Sequence, residues 1–270
     1  MTLGEESYTR HKNRVKRART LVEIAFVIAA LYLLYTLFFH GKTYQPYTES
    51  QVSPTTDTGF IALSYFGVDR IGDTSTLIGE KQLREHLKAL KDNGYVTITQ
   101  EDIEKYYEKG QPLPEKALYL MFEDGRRDTA IFADDIIEDL NFKGVMMTYP
   151  EKFDHEDPKF LRPSDLKDMT DSTFWELGTN GYRLEYINVY DRYHNFIGEI
   201  DPLTYAMMRP YLGRDYNHYL MDYIRDKDRI PVETLDHMKR RIGYDYSRIA
   251  ELYQEHLGYV PQVYVLMHAN

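Results

Sequence analysis

The chain has 270 residues, 43% of them hydrophobic, enough for one large domain or two small ones with a real core. It contains no cysteine, which excludes disulfides, thiolate metal sites and a cysteine nucleophile. Its net charge of −10 is unevenly spread: residues 1–42 carry seven Lys/Arg against three Asp/Glu, and the rest 26 against 40. An acidic body argues against nucleic acid as a partner, because phosphate contacts need basic surface.

Leu21 to Phe39 is apolar except for Glu23 and Thr36. About 20 such residues cross a bilayer as a helix. Arg10, Lys12, Arg14, Lys16, Arg17 and Arg19 precede the run, an asymmetry that keeps the N-terminus cytoplasmic and places the rest outside. Tyr32, Tyr35, Phe38 and Phe39 suit the outer interface. Glu23 sits near the cytoplasmic end, where its charge can snorkel. The reading is a single-pass anchor: a basic cytoplasmic segment 1–20, a transmembrane helix 21–39 and an extracellular body. A cleaved signal peptide is the runner-up, but the run is long and no small-residue cleavage site follows. A buried core helix leaves the basic flank unexplained. Thr43 to Thr58 is rich in Thr, Ser and Pro and reads as an extended linker, so the body is expected over 59–270.

In the body, short apolar runs alternate with helical patterns. Ile61 to Phe66 predicts a strand. Leu83, Leu87 and Leu90 share one helical face, closed by Gly94. Tyr95 to Ile98 is the next strand. Thr99 and Asp102 resemble a capping box for a helix with Ile103, Tyr106 and Tyr107 inward, ended by Gly110. Pro112 and Pro114 lead into a strand over 116–122. Asp128 is expected to cap a helix whose inner face is Phe132, Ala133, Ile136, Ile137 and Leu140. Val145 to Tyr149 is a strand, Ser164 a cap for a helix through Met169, and Phe174 to Leu177 a strand ended by Gly178. Residues 185–242, crowded with Tyr, Asp and Arg, break the rhythm and are expected to be a mostly helical insertion. A helix over Asp245 to His256, then Gly258, then a strand Val263 to Met267 resume it. Alternation of this kind means an α/β chain with a parallel sheet or barrel.

Within that rhythm, Ala117-Leu-Tyr-Leu-Met-Phe-Glu-Asp-Gly125 stands out. An apolar strand ends in two adjacent carboxylates and a glycine. Successive side chains point to opposite faces, so Glu123 and Asp124 diverge as the chain leaves the sheet. Strand ends that run into loops are where α/β folds place chemistry. The plainer alternative is a solvated turn, since Asp and Gly are ordinary turn formers.

The order of segments from Ile61 to Asn270 resembles the polysaccharide deacetylase family. The resemblance rests on Ala62-Leu-Ser-Tyr-Phe-Gly-Val68, Leu87-Lys-Ala-Leu-Lys-Asp-Asn-Gly-Tyr95, Leu113-Pro114, Phe122-Glu-Asp-Gly125 and Phe174-Trp-Glu-Leu-Gly-Thr-Asn180. It implies a parallel-stranded, distorted or incomplete β/α barrel and a carbohydrate polymer as substrate. In that family a Phe-Asp-Asp-Gly motif supplies a catalytic base and then a metal ligand. The matching positions are Glu123 and Asp124. A later His-x-x-x-His motif supplies two further ligands, and Asn180 and Leu184 stand there. Phe66 stands where a histidine is frequent. A catalytic zinc needs three protein ligands, so Asp124 alone falls short and no cofactor is expected, unless His194, His218 and His268 build a different zinc site.

The end of the chain allows two registers. In one, Tyr253 to Leu266 matches a mid-domain segment, implying a fragment that lacks later strands and is prone to self-association or reliant on a downstream domain. In the other, Leu266-Met267-His268 is the family's final strand motif and Arg209-Pro210-Tyr211 its Arg-Pro motif. Arg209, Tyr211 and His268 are then substrate-binding candidates. Three functions follow: an anchored glycan deacetylase, a non-catalytic glycan-binding or assembly relative, and a metal-free glycosidase. The last needs two of Glu123, Asp124, Glu176 and Asp191 facing each other across one cleft.

Overall fold

The computed structural model describes residues 3–39, 42–55, 59–72, 77–154, 157–214 and 216–265. It divides into two units, Met1–Thr43 and Tyr44–Asn270. The first unit is one helix, α1 (Leu3–Phe39). Its stretch Lys16–Tyr35 is, among the described residues, the one helix long and apolar enough to cross a membrane. Within it Glu23 is paired one turn back, with Arg19 Nε at 2.9 Å.

The second unit begins with a segment that is not a free linker. The Tyr44 ring is buried against Phe174, and its hydroxyl donates to the Thr97 carbonyl at 3.1 Å. Val52 pairs with Pro114. In chain order there follow β1 (Ile61–Tyr65), β2 (Val68–Asp69), β3 (Ile78–Gly79), α2 (Glu80–Asp92), β4 (Val96–Thr97), α3 (Gln100–Lys109), β5 (Ala117–Phe122), α4 (Arg127–Leu140), β6 (Gly144–Thr148), α5 (Pro163–Asp171), β7 (Trp175–Thr179), β8 (Tyr186–Tyr190), β9 (Phe196–Ile200), α6 (Pro202–Met208), β10 (Asn217–His218) and α7 (Leu235–Leu257).

The main sheet is parallel, in the order β1-β5-β6-β7, with β4 paired to the start of β5. It continues beyond β7. Val265 N donates to Thr179 O at 2.9 Å, and Tyr264 pairs in parallel with Thr179. The succession β5, β6, β7, then 263–265, each strand reached through a helix, is the wall of an incomplete β/α barrel. The remainder of the strand expected at 263–267, and His268, lie outside the described residues.

β5 shows why the sheet forms. All six of its residues are buried, as in a parallel strand covered on both sides. Leu118, Leu120 and Phe122 join Ile136 and Ile137 of α4 in one cluster. Ala117, Tyr119 and Met121 join Ile98, Val145 and Met147 in another. Alternation along the strand thus sorts the two faces.

Several boundaries differ from the expected ones. Tyr107 is not inward but 72% exposed, because Ile103 and Tyr106 already fill that face. α4 opens at Arg127 after Arg126, so Asp128 lies in the first turn, holding Arg126 Nη2 at 2.6 Å rather than capping. α5 opens on Pro163, whose fixed φ suits a first helical position, so Ser164 is inside the helix. The Thr99–Asp102 capping box is present, and Gly110 at φ 62 ends α3.

The insertion is not mostly helical. β8 and β9 form an antiparallel hairpin, and β10 pairs with the other edge of β8. Tyr, Ile, Val and Phe, the majority in Tyr-Ile-Asn-Val-Tyr and Phe-Ile-Gly-Glu-Ile, are β-formers. The intervening turn is tied by Asp191 Oδ1, which accepts from Tyr193 N and Asn195 N, each at 2.8 Å. α7 starts at Leu235, ten residues before the expected helix, with Thr234 Oγ1 accepting from His237 N.

Candidate functional site

The C-terminal ends of β1, β5 and β7, the last two with β6 between them, bring three polar groups together. Glu123 continues β5, its N–H donating to Tyr65 O at 3.0 Å. By the two-residue period it faces the same way as Tyr119 and Met121, and Ser64, paired with Met121, faces that way too. Asn180 follows β7 on the same side. The Ser64 hydroxyl donates to Glu123 Oε1. Asn180 Nδ2 donates to Glu123 Oε2 at 2.8 Å and to Val265 O at 3.0 Å. Glu123 is 3% exposed and Asn180 fully buried. Burial raises the Glu123 carboxyl above the usual range, while the bonds from Ser64 and Asn180 oppose that rise.

Asp124 turns the chain. Its φ of 66 and that of 62 at Gly125 are both left-handed. A Cβ on Gly125 would come within 3.0 Å of the Thr148 methyl, so glycine is needed there for space as well as for φ. Asp124 Oδ1 is sealed from solvent and has no hydrogen-bond partner among the described residues. Burial first, and then the Glu123 charge, push this carboxyl up to about 7, against the pull of Arg126 and Lys152. The buried Tyr149 hydroxyl has no hydrogen-bond partner among the described residues, and its proton is held more tightly because of burial and the charge of Asp124 and Glu123.

The residues at the two histidine positions do other work. Asn180 spends its amide protons on Glu123 and the 263–265 strand. Leu184 packs against the cluster of Tyr186, Val189 and Ile200. Among the described residues no group of three His, Cys, Asp or Glu side chains could hold a metal ion. His194 lies in the hairpin turn at φ 65, and His218 is buried at β10 against Tyr219. The side chains at the three motif positions do not by themselves make a catalytic zinc site: one carboxylate, one amide already engaged and one alkyl chain.

The other candidates are dispersed. Glu176 accepts from Gln100 N at 3.0 Å and anchors the start of α3. Asp191 ties the hairpin turn. The glycosidase arrangement of facing carboxylates is not formed by them. Arg209 and Tyr211 fall in a short 3₁₀ turn, and Tyr211 is 56% exposed under the Arg192 guanidinium. Tyr186 feels both Asp124 and Arg209 electrostatically, which puts the insertion near the carboxylates. Ser64 and Tyr149 were not singled out by sequence. For Ser64 the signal was there, a lone hydroxyl in an apolar strand; a buried Tyr149 hydroxyl has none.

No family model matches the chain. A segment of 116 residues, 42% of the chain, is 31% identical to the poly-beta-1,6-N-acetyl-D-glucosamine N-deacetylase of Escherichia coli K12. The chain spans 17% of the length of that relative. Among solved structures, a de-N-acetylase from Aggregatibacter actinomycetemcomitans superposes with a TM-score of 0.57 at 18% identity, covering 77% of this chain and 78% of that one. The BpsB deacetylase domain from Bordetella bronchiseptica gives 0.54 at 16%, covering 77% and 79%. IcaB from Ammonifex degensii gives 0.52 at 16%, covering 77% and 73%. These solved structures share the fold of this chain, and the matched segment is similar in sequence to a glycan N-deacetylase.

Proposed function

We propose that this chain is a membrane-anchored, extracytoplasmic protein that handles an N-acetylated envelope or extracellular glycan by binding it, within a deacetylase fold whose metal-assisted hydrolysis has been given up. The observation that carries this reading is the bond from Asn180 to Glu123. The residue at a ligand position engages the candidate base in a hydrogen bond instead of holding an ion, and both are closed off from solvent. A base so placed has no water to activate. The substrate class comes from the E. coli relative, the anchor from α1 with its basic flank, and the outward orientation from the positive-inside rule.

One observation favours a second reading, in which hydrolysis survives. Asp124 keeps a sealed, unpartnered oxygen and titrates near neutrality, the condition in which carboxylates often serve catalysis.

The two separate in one experiment. The full chain in detergent micelles is given oligomers of β-1,6-linked N-acetylglucosamine, with zinc or cobalt and without. Oligomer binding with no release of acetate is expected. Metal-stimulated acetate release that disappears in Asp124→Ala would overturn the proposal.

A further inference from the structure

Glu123 and Asn180 are closed off from solvent, so a glycan bound by this chain needs an open surface elsewhere. The insertion has a cavity of about 550 Å³, walled by β8, β10 and the segment 222–231. Its polar groups are engaged with one another. Asn188 Oδ1 accepts from Arg225 N at 2.8 Å, its Nδ2 donates to Tyr223 O at 2.9 Å, and Arg225 Nη2 donates to Asp222 Oδ1 at 3.0 Å. The tip of the β8–β9 hairpin is different. Tyr193, in the hairpin turn, and Tyr211, in the 3₁₀ turn 209–211, are 68% and 56% exposed. The Arg192 guanidinium lies 4.9 Å from the centre of the Tyr193 ring and 5.4 Å from that of Tyr211. A guanidinium covers one face of a ring at most, and both exposures hold with Arg192 in place. Single exposed aromatics are ordinary on a protein surface; two that share one cation form a patch.

This patch is held in order. Asp191 Oδ1 accepts from Tyr193 N and Asn195 N, each at 2.8 Å, and its Oδ2 accepts from Asn195 Nδ2 at 2.8 Å. Arg192 N donates to Tyr211 O, and Gly213 N to Tyr190 O, both at 2.8 Å, lacing the 209–213 segment to the hairpin. A Cβ on Gly213 would come within 3.2 Å of Asp191 O, so this close approach suits glycine. Arg192 Nη2 donates to the Tyr193 hydroxyl at 2.8 Å, which fixes that ring. All the bonds that tie the two segments run through main chain or ring edges and leave the outer ring faces open. Surface rings ordered in advance lose little freedom when a ligand stacks on them. Arg192 is exposed and makes no further side-chain hydrogen bond among the described residues, so its other N–H groups remain for ligand oxygens.

Open aromatic faces gain by covering an apolar surface. A pyranose with equatorial hydroxyls offers one: its hydroxyls project around the edge, and its faces are C–H. Two rings expose far less than the roughly 800 Å² that each partner buries in a stable protein–protein interface, but they match the span of one or two sugar units. The position also suits a polymer. Tyr211 shares its turn with Arg209, whose charge reaches Tyr186, as does that of Asp124 at the strand ends. We propose that Tyr193 and Tyr211, with the Arg192 guanidinium they share, form a stacking platform for a neutral pyranose unit of the glycan. This rests on the reading that the chain binds a glycan, and seats that glycan on the hairpin tip rather than in the closed strand-end centre.

The test is titration calorimetry on the full chain in micelles with two neutral hexasaccharides, one of β-1,6-linked N-acetylglucosamine and one of β-1,6-linked glucose. Both should bind, because stacking reads the ring face rather than its substituent. Tyr193→Ala and Tyr211→Ala should each weaken binding about fivefold or more, and Tyr211→Phe, which keeps the ring, less than about twofold. Added salt should change these affinities little, since the ligand carries no charge to screen. The melting temperature should hold in all three variants, because the main-chain bonds of the tip are untouched. Equal binding by the parent and both alanine variants overturns the platform and leaves glycan binding standing at another surface. A melting temperature that falls along with binding shows the rings to be structural and overturns it too. Failure of both hexasaccharides to bind the parent overturns the platform and the glycan reading together. Binding of the glucose oligomer alone, weakened by the alanine variants, upholds the platform and refutes the N-acetylated ligand proposed above.

Discussion

The strand-end centre and the insertion cavity use the same kinds of residue for opposite ends. At the ends of β1, β5 and β7, polar groups are turned on one another: Ser64 and Asn180 serve both oxygens of Glu123, which is 3% exposed. In the insertion, Arg225 and Asp222 satisfy each other on the wall of an open cavity that Arg214 and Arg229 also line. A buried carboxylate with both oxygens paired rigidifies its surroundings, and has little left to offer a ligand. A half-exposed set costs little to solvate. The comparison therefore predicts that damage to the first region is felt by the whole domain, and that damage to the second stays local.

The largest effect should come from beneath the first region. Phe122 is fully buried, stacked on Tyr65 at 5.8 Å and tilted against Trp175 at 5.3 Å. Phe122→Ala should cost about 4 kcal/mol, as large-to-small changes in tight cores do. The urea midpoint reads this directly; a loss under about 1 kcal/mol would mean that the parallel sheet is not the body's core. Next comes Asn180→Leu, which keeps the branching at Cγ but strips Glu123 of a donor. Leaving a buried acceptor unpaired costs roughly 2 kcal/mol. Adding Glu123→Gln should recover part of it, and strict additivity of the two changes would break the claim that they form one unit.

Proton linkage gives the third effect. The Asp124 carboxyl loses its proton near 4 in the unfolded chain and at about 7 in the folded one. Between those values the folded state holds more protons, so stability falls as pH rises through that window and then levels off. Glu123 is shifted the same way. Asp124 is only partly covered as a residue, so a drop of roughly 2 kcal/mol between pH 4 and pH 8 is expected rather than the full linkage value. Asp124→Asn should flatten the profile and stabilise the domain at pH 8. An unchanged slope would show that this carboxyl titrates freely.

Much of the first region was legible in the sequence, and little of the second. β5 announced itself as a continuous apolar run, and the acids after it marked the strand end. Leu83, Leu87 and Ile136 were placed by period alone, because local pattern and tertiary burial agreed. The insertion failed for the opposite reason. Asn188, Arg214 and Arg229 lie far apart in sequence and meet only through the hairpin and the 222–231 segment. Dense Tyr, Asp and Arg hid the alternation of β8 and β9, where all five β8 residues are buried despite their polar members. Closure of the Glu123 site was equally invisible, since it depends on Asn180 and the Val265 carbonyl arriving from distant strands.

The smallest effect on stability should come from the clamp in the insertion, and it draws the comparison most sharply. Asn188→Ala removes the bonds to Arg225 N and Tyr223 O and leaves a side chain that tolerates φ 58 less well than asparagine does. In the sheet a change of that kind would unsettle the whole body. Here the segment it holds is tied elsewhere: Tyr190 still reaches Lys227 O, and Arg241 Nη2 still donates to Asp222 O at 3.0 Å. The expected global loss is about 1 kcal/mol or less, while the segment opens locally, as loosely buried units do. Hydrogen exchange should show faster amides at 223–225 and unchanged ones at 118–122. Asn188→Gly, which accepts the left-handed backbone without supplying the clamp, separates strain from bonding. If it behaves like alanine, the side-chain bonds set the cavity's order; if it behaves like the parent, the backbone does. Equal acceleration in β5 and in the 223–225 segment would show that the two regions open as one, and the contrast between them would fall.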